Sequence, residues 1–148
     1  MENMNREILF RGKHIHAMDS NDHLNGTWVH GYLSDKNYIY DKSLEGEFLV
    51  DEDTICQYTG LTDKNGKKIF EGDVVKDSAG VCGEVKFGLY AAGFSIPDTN
   101  QGFYIEFPEE SLYRKELGYW ENKVVVIGNI YDSPKLLDDK ENKHGEDI

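Results

Sequence analysis

One segment of the chain, QYTGLTDKNGKKIFEGDVV, runs from Gln57 to Val75 and alternates strand-forming runs with turn residues. In its middle, Asp63 suits the first position of a type I turn, and Gly66 suits the left-handed residue that closes such a turn into a bulged hairpin. Asn65, between them, tolerates either conformation. The segment therefore predicts a tight hairpin with a strand on each side.

A corner is predicted directly after this hairpin, where Glu71, Gly72 and Asp73 follow one another. Gly72 permits a sharp bend because it has no Cβ, and Asp73 can accept hydrogen bonds from nearby backbone amides. We expect this corner to position two lobes of the chain. Farther along, Asn129 follows Gly128 and suits the end of a strand.

Outside this segment, runs of β-branched and aromatic residues alternate with turn residues at intervals of about 8 to 12, a spacing typical of small sheets. Strands are predicted at or near residues 6–11, 27–33, 54–59, 67–70, 81–87 and 123–128. Pro108 and acidic residues precede basic residues and Gly118, which predicts one short helix near residues 109–117.

These elements predict a mainly β fold of the β-rich α+β class. Residues 1–60 are expected to form an N-terminal lobe, most of it an antiparallel meander. Residues 61–137 are expected to form a small SH3-like β-barrel lobe that shares a core with it. Residues 138–148 carry excess acidic side chains and no apolar periodicity before Ile148, which predicts a disordered acidic tail.

Charge and composition narrow the classes of function. The chain has 28 acidic and 16 basic side chains and a formal net charge of −12, which disfavours non-specific nucleic-acid binding and favours basic partners. No apolar run approaches the roughly 18 residues of a membrane span, and the first residues lack the features of a secretory signal. We therefore expect a cytoplasmic protein, in which Cys56 and Cys82 are reduced.

The segment from Gln57 to Val75 resembles the signature block of the YopX family. REILFR at residues 6–11 is similar to the opening strand of that family, and IGNIYDSPKLL at residues 127–137 is similar to its closing motif. The resemblance covers roughly residues 6 to 137, and residues 77–121 depart most from the family pattern. The residues taken as a structural signature are Gln57, Tyr58, Thr59, Gly60, Asp63, Asn65, Gly66, Glu71, Gly72, Asp73, Gly128 and Asn129.

The resemblance implies a phage or prophage origin and a place in the cytoplasm of a bacterial host. It supplies no catalytic residues. In the sequence itself, no serine or cysteine lies in a nucleophile elbow, and neither a Walker loop nor a Rossmann fingerprint occurs. We therefore predict no catalytic residues, no cofactor and no enzymatic activity.

Two groups of residues are of the types that bind metal ions. Asp63, Asn65, Glu71 and Asp73 suggest a calcium loop, but their glycine is misplaced and lysines occupy ligand positions, so turn chemistry explains them without metal. Four histidines of the first lobe suggest zinc, and histidines on a solvated strand explain them as well: they are His14, His16, His23 and His30. No metal site is predicted, and metal binding by the histidines is left open.

The chain also has two tryptophans and nine tyrosines, more than a core of this size needs. Because these side chains suit protein interfaces, Tyr113, Tyr119 and Trp120, around the predicted helix, are the candidate interface. The leading hypothesis is a non-enzymatic accessory protein that binds another protein, either a copy of itself or a host or phage factor. The alternatives are a nucleic-acid-associated SH3-like module, with a basic patch such as Lys64, Lys67, Lys68 and Lys76, and then a metal-dependent enzyme.

Overall fold

The structure is a computed structural model that describes residues 7–15, 26–91, 99–108 and 113–138. The chain divides into two compact units, Met1–Gly60 and Leu61–Ile148. Strands dominate both units, which confirms the predicted mainly β class. Within the described ranges, no helix has the length and apolar character that crossing a membrane requires.

The first unit contains the predicted antiparallel meander. Hydrogen bonds join its strands in the order β4-β3-β2-β1-β5. Its strands are β1 (Phe10–Lys13), β2 (Trp28–Asp35), β3 (Tyr38–Asp41), β4 (Gly46–Leu49) and β5 (Cys56–Thr62). A 3-10 turn at Glu52–Thr54 leads into β5 and is capped by Asp51, whose carboxylate accepts a hydrogen bond from the Asp53 amide at 3.0 Å.

One face of this sheet forms the core of the first unit. The buried side chains are Val29, Ile39, Phe48 and Val50, and Phe10 and Ile55 pack against them. Successive side chains of a strand point to opposite faces, so Val29 lies in the core whereas His30 is exposed on the other side.

The second unit has a four-stranded antiparallel sheet in the order β10-β7-β8-β9. The last residues of β5 pass into this unit and pair with β6 across the predicted hairpin. The elements after β5 are β6 (Lys68–Phe70), β7 (Asp73–Lys76), β8 (Cys82–Ala91), β9 (Thr99–Glu106), α1 (Leu117–Trp120), β10 (Val125–Asn129) and a 3-10 turn at Leu136–Asp138. The buried core consists of Ile69, Val75, Val85, Ile105, Phe107, Leu117, Trp120 and Val124.

The predicted SH3-like barrel is not a closed barrel. In the described part of the unit, β10 and β9 are the two edges of an open sheet, and β6 pairs with β5 rather than with β10. β7 pairs only with Cys82–Glu84, whereas β8 and β9 continue together as far as Ala91 and Thr99. Closure would require the two edges of the sheet to be joined, and no pairing among the described strands joins them.

The predicted helix at residues 109–117 is wrong over its described end. Residues 113–116 are extended, because the Ile105 amide donates to the Lys115 carbonyl at 2.8 Å and Tyr104 forms an isolated bridge with Glu116. The one helix in the described ranges, α1, is a single turn that starts at Leu117. Residues 109–112 of the prediction lie outside the described residues.

Other boundaries also shift. β1 begins at Phe10 rather than at residue 6, and β8 continues four residues past the predicted end at Phe87. The predicted tail begins at Asp138, which closes the last 3-10 turn, and residues 139–148 lie outside the described residues. Both cysteines are free thiols, Cys56 buried and Cys82 half-buried.

Candidate functional site

The hairpin predicted around Asp63 is present, and its first residue is a buried carboxylate. Asp63 Oδ1 accepts hydrogen bonds from the amides of Asn65 (2.8 Å) and Lys67 (2.9 Å), and Oδ2 accepts one from the Val126 amide at 2.9 Å. Gly66 closes the turn with φ of 83°. Burial acts to raise the pKa of Asp63, but these hydrogen bonds outweigh burial and hold the pKa below its ordinary value.

The same turn occurs a second time between β7 and β8. Asp77 Oδ1 accepts from the amides of Ala79 (3.0 Å) and Val81 (2.8 Å), and Gly80 has φ of 89°. Both turns begin with an Asp that is followed three residues later by Gly, as DKNG and DSAG. The difference lies in burial, because Asp63 is 1% exposed whereas Asp77 is half-buried.

The predicted corner is also held by a carboxylate. Gly72 has φ of 89°, which favours glycine, and buried Asp73 accepts a hydrogen bond from the Phe70 amide at 2.8 Å. The Gly72 carbonyl accepts a hydrogen bond from the Ile130 amide at 3.0 Å. Asn129 Oδ1 accepts hydrogen bonds from the amides of Tyr131 (2.9 Å) and Asp132 (2.8 Å). Asp63, Asp73 and Asn129 thus accept hydrogen bonds from backbone amides and stabilise turns. The remaining signature residues lie in β5 (Gln57, Tyr58, Thr59, Gly60), in β10 (Gly128) or next to the corner (Glu71).

The candidate interface residues come together, but only one of them is well exposed. Trp120 lies 5.3 Å from the ring of Tyr113 and 5.0 Å from that of Tyr119, measured between ring centroids. Trp120 is 8% exposed and donates its indole N–H to the Arg114 carbonyl at 2.8 Å, so it belongs to the core. Tyr113 is half-buried, and a hydrogen bond to Asp77 raises its pKa. Tyr119 is exposed.

Cations surround Tyr119. Its ring centroid lies 4.6 Å from Arg114 Cζ and 4.7 Å from Lys123 Nζ, within the range of a cation–π contact. The tip of the Asp63 hairpin is close by in the chain fold, because the Lys64 amide donates to the Val124 carbonyl at 2.8 Å. Arg114, Tyr119 and Lys123 are called the Tyr119 patch below. Arg114 is also paired with Glu116, its Nη2 donating to the carboxylate at 2.6 Å, so Lys123 supplies the cation of this aromatic surface that is not balanced by that carboxylate.

A second surface lies on the outer part of the β8–β9 hairpin, which the sequence did not single out. We call Phe87–Ala91 and Thr99–Phe103 the arm. Along β8, Val85, Phe87 and Leu89 point to one face of the sheet, because side chains alternate. Val85 is fully buried, whereas Phe87 is 51% and Leu89 is 68% exposed. The sheet face that is buried at the base of the β8–β9 hairpin is therefore exposed to solvent farther along the hairpin.

The apolar face of the arm includes side chains from both strands. Phe103 lies directly opposite Phe87, and their rings meet edge to face with centroids 5.0 Å apart. On the reverse face, the Tyr90 ring stacks on Tyr104 at 5.2 Å. Phe87–Ala91 and Thr99–Ile105 contain no Asp, Glu, Lys, Arg or His, in a chain of which 30% is charged. The arm is therefore uncharged, and the first of these faces is apolar at Phe87, Leu89 and Phe103 and polar at Gln101 and Thr99, which lie opposite Leu89 and Ala91.

Among the described residues, the histidines considered as zinc ligands do not form a zinc site. His14 is buried, and its ring meets that of Phe48 edge to face at 5.0 Å. His30 lies on β2 with an exposed side chain, and partial desolvation of its ring, followed by the nearby Arg11 charge, lowers its pKa. His16 and His23 lie outside the described residues. Across the residues that the structure describes, no three His, Cys, Asp or Glu side chains are grouped to hold a metal ion.

Sequence reasoning missed the arm although a signal was present. Val85, Phe87, Leu89 and Ala91 are apolar at every second position, which is the pattern of one strand face. The strand predicted at residues 81–87 ends before the last two of these positions. Exposure, by contrast, had no signal in the sequence, because the same alternation is typical of a strand whose face is buried.

Comparisons with known proteins place the chain in a family. The family model described as YopX protein matches residues 9–138. Among solved structures, the chain is similar to the crystal structure of protein EF1440 from Enterococcus faecalis, with 23% sequence identity and a TM-score of 0.45, over 90% of this chain and 99% of that one. None of the curated proteins compared with the chain matches it.

Proposed function

This chain belongs to the YopX family, and from that premise we propose that it is a non-enzymatic phage or prophage accessory protein that binds another protein through the apolar face of the arm. The observation that carries the proposal is the exposure of Phe87 and Leu89 on the face that buries Val85. Contiguous exposed apolar side chains of this kind mark protein interaction sites on soluble domains.

The burial and the hydrogen bonds of the signature carboxylates support a binding function over a catalytic one. Asp63 and Asp73 are 1% and 2% exposed, and both accept hydrogen bonds from backbone amides. A general acid or base must reach a substrate, and a buried carboxylate that fastens a turn does not. The lowered pKa of Asp63 also keeps it ionised, which suits an acceptor of amide hydrogen bonds.

The proposal places the protein in the cytoplasm of the bacterial host, where its partner is a copy of itself or a host or phage factor. The net charge of −12 favours a basic partner at long range, whereas the uncharged arm makes the close contact. Apolar contact at the centre and electrostatic steering from the surrounding surface are the usual division in protein interfaces.

A capture experiment with matched variants tests this function. The tagged chain is used to capture proteins from lysate of a host that carries the phage or prophage, alongside Leu89→Lys on the arm and Leu44→Lys in the turn between β3 and β4. Both leucines are exposed, at 68% and 42%, so neither substitution should change the unfolding free energy by more than about 0.5 kcal/mol. We expect Leu89→Lys to lose the captured partner and Leu44→Lys to keep it. Equal capture by both variants would contradict the proposal.

The Tyr119 patch supports a second candidate function, the binding of single-stranded nucleic acid. Two cations within 5 Å of an exposed aromatic ring resemble the stacking and phosphate contacts of such sites. The net charge works against it, and we expect no appreciable binding of random duplex DNA at near-physiological salt. Anisotropy titration with labelled oligonucleotides checks this: salt-sensitive micromolar binding that Lys123→Ala weakens would raise this candidate above the first.

A further inference from the structure

We propose that β8 binds an extended segment of another protein as an added strand, placed beside Phe87–Ala91 on the side where β7 has ended. The inference rests on the proposed function, because it takes the apolar face of the arm as the contact surface. It adds the conformation and the chemistry of the partner segment. Its support comes from the direction of the β8 backbone groups, from the lack of protection at this edge, and from charge.

Alternate residues of β8 direct their backbone N–H and C=O groups away from β9. The Ile105 amide donates to the Lys115 carbonyl at 2.8 Å, so Ile105 is not bonded to Val85, which lies opposite it on β8. In agreement, the Val85 carbonyl accepts a hydrogen bond from the Gly72 amide at 2.8 Å, on the other side of β8. The backbone groups of Val85 therefore point toward the β7 side. In an antiparallel pair this direction repeats at every second residue.

The same direction applies farther along β8, at positions that β7 does not reach. The register of β8 with β9 is continuous as far as Ala91, so the N–H and C=O groups of Phe87 and Leu89 also point to the β7 side. β7 pairs with β8 only over Cys82–Glu84. In residues 7–15, 26–91, 99–108 and 113–138, no hydrogen bond reaches these outward groups. Phe87–Ala91 thus presents an edge of about 17 Å, at about 3.4 Å per residue.

This part of β8 lacks the features by which proteins prevent strand edges from pairing. Those features are charged side chains, proline, a bulge or a covering segment. Phe87–Ala91 contains no charged residue and no proline, and its pairing with β9 has no register shift. Phe87, Leu89 and Ala91 are exposed. The edge is therefore available for an added strand.

The side chains of this edge define the side chains of the partner. Residues directly opposite each other on paired strands point to the same face of a sheet. Partner residues opposite Phe87 and Leu89 would therefore lie on the apolar face of the arm, beside these two side chains. In strand addition, main-chain hydrogen bonds supply affinity and contacts of alternate side chains supply specificity. We therefore expect a segment that is apolar at every second position.

Charge adds a basic residue at one end of the segment. Burial raises the pKa of Glu84, the Lys86 charge acts in the opposite direction, and the charges of Glu106 and Glu71 raise the pKa further. These three carboxylates therefore lie close together, near the end of β7. One ammonium group is close to them, and Lys86 Nζ already pairs with Glu106 at 2.7 Å. The surroundings of the edge thus favour a Lys or Arg of the partner at the base of the arm.

A second copy of the chain fits this edge less well than a different protein. Phe87–Ala91 and Thr99–Phe103 contain no Lys or Arg to place beside the three carboxylates. Two copies that each carry a net charge of −12 also repel one another. Charge therefore selects a segment of another protein.

A display library of random peptides of about ten residues tests the inference, since strands are usually three to ten residues long. The library is selected on immobilised wild-type chain and counter-selected on Leu89→Lys. We expect the enriched peptides to be apolar at alternate positions and to carry Lys or Arg near one end. Alternation with a basic end is the pattern that the edge and its carboxylates require.

An enriched peptide is then synthesised with one backbone amide N-methylated at a time. An added strand uses every second amide to bond to β8, so methylation should weaken binding about tenfold or more at alternate positions and less than about twofold between them. On the chain, Leu89→Pro removes the outward N–H and leaves the β8–β9 ladder bonds in place. It should weaken binding about tenfold or more relative to Leu89→Ala, the matched control that keeps the N–H.

An alternating methylation pattern, together with weaker binding to Leu89→Pro than to Leu89→Ala, would support the inference. If Leu89→Pro does not fold by circular dichroism, the methylation series decides alone. Equal effects at all amides would overturn the inference, as would a library without any peptide that binds the wild type better than Leu89→Lys. A wild-type dimer in sedimentation that Leu89→Pro dissociates would also overturn it, because the edge would then belong to a second copy. In each case the capture experiment with Leu89→Lys still tests the proposed function separately.

Discussion

The turns at the base of the second unit and the arm that extends from it use opposite chemistry. At the base, buried polar side chains, among them Asp63 and Asp73, bind backbone amides and leave almost no exposed surface of their own. On the arm, Phe87 and Leu89 are apolar and exposed, and no charged group is present. Buried polar side chains and exposed apolar patches are exceptions to the usual distribution of residues in a folded protein, so each calls for a structural or functional explanation.

The difference separates what folds the protein from what it contacts. The polar signature residues Asp63, Asp73 and Asn129 lie in the base, where their hydrogen bonds fix two turns and one strand end. None of the signature residues lies in the arm. The resemblance therefore identifies the scaffold, whereas the proposed contact surface lies outside the signature.

Removal of the Asp63 carboxylate should give the largest effect. Asp63→Ala leaves three backbone amides without their acceptor, so we expect the unfolding free energy to fall by about 3 kcal/mol and the melting temperature by about 10 °C. Asp77→Ala is the comparison, because Asp77 holds an equivalent turn without being fully buried, although this variant also removes the hydrogen bond to Tyr113. Its cost should be about 1 kcal/mol. Thermal melts with equal losses in both variants would show that burial of Asp63 does not matter.

Substitutions along one face of β8 should mark where the core ends. Val85→Ala removes a fully buried side chain and should cost about 2 kcal/mol, whereas Leu89→Ala should change stability by less than about 0.5 kcal/mol. Both residues point to the same face, so the difference reports burial rather than strand propensity. Urea unfolding measures both. A large loss in Leu89→Ala would mean that the arm is packed within the monomer.

Low pH should destabilise the turn that the Asp63 carboxylate holds and should leave the arm unchanged. The pKa of Asp63 is lower in the folded chain than its ordinary value, so its ionised form contributes stability at all pH values above the unfolded pKa. That contribution is lost as pH falls through the folded pKa. Asp63→Asn should therefore lose less unfolding free energy than the wild type between about pH 5 and about pH 2.5. Parallel curves for the two proteins would contradict this assignment.

The sequence predicted the parts of the fold that local chemistry determines. The hairpin at Asp63, the bend at Gly72 and the meander of the first unit follow from turn residues and alternation, which act over a few positions. The SH3-like barrel does not close and the described end of the helix predicted at residues 109–117 is extended, because pairing between distant residues decides both. Lys115 bonds to Ile105, and the Asp63 carboxylate reaches Val126, contacts that no local pattern reveals.

The residues of the candidate interface differ in exposure, and their role in an interface stays a prediction. Tyr119 is exposed as expected, but Trp120 packs against Phe107 with ring centroids 5.3 Å apart. Both residues are aromatic and adjacent, so composition could not separate surface from core. The exposure of Leu89 depends on where β7 ends relative to β8, which is a property of the assembled sheet.

Site-specific photocrosslinking tests the central claim most directly. A photoreactive phenylalanine analogue is placed at position 89 on the arm or at position 44 in the control turn, and the chain is irradiated in the host cell. Both positions are exposed, so both analogues are available to a partner. The account predicts a discrete crosslinked protein from position 89, which mass spectrometry identifies as a second copy or another protein, and none from position 44. Crosslinks from position 44 alone, or equally from both positions, would contradict the assignment of the arm as the contact surface.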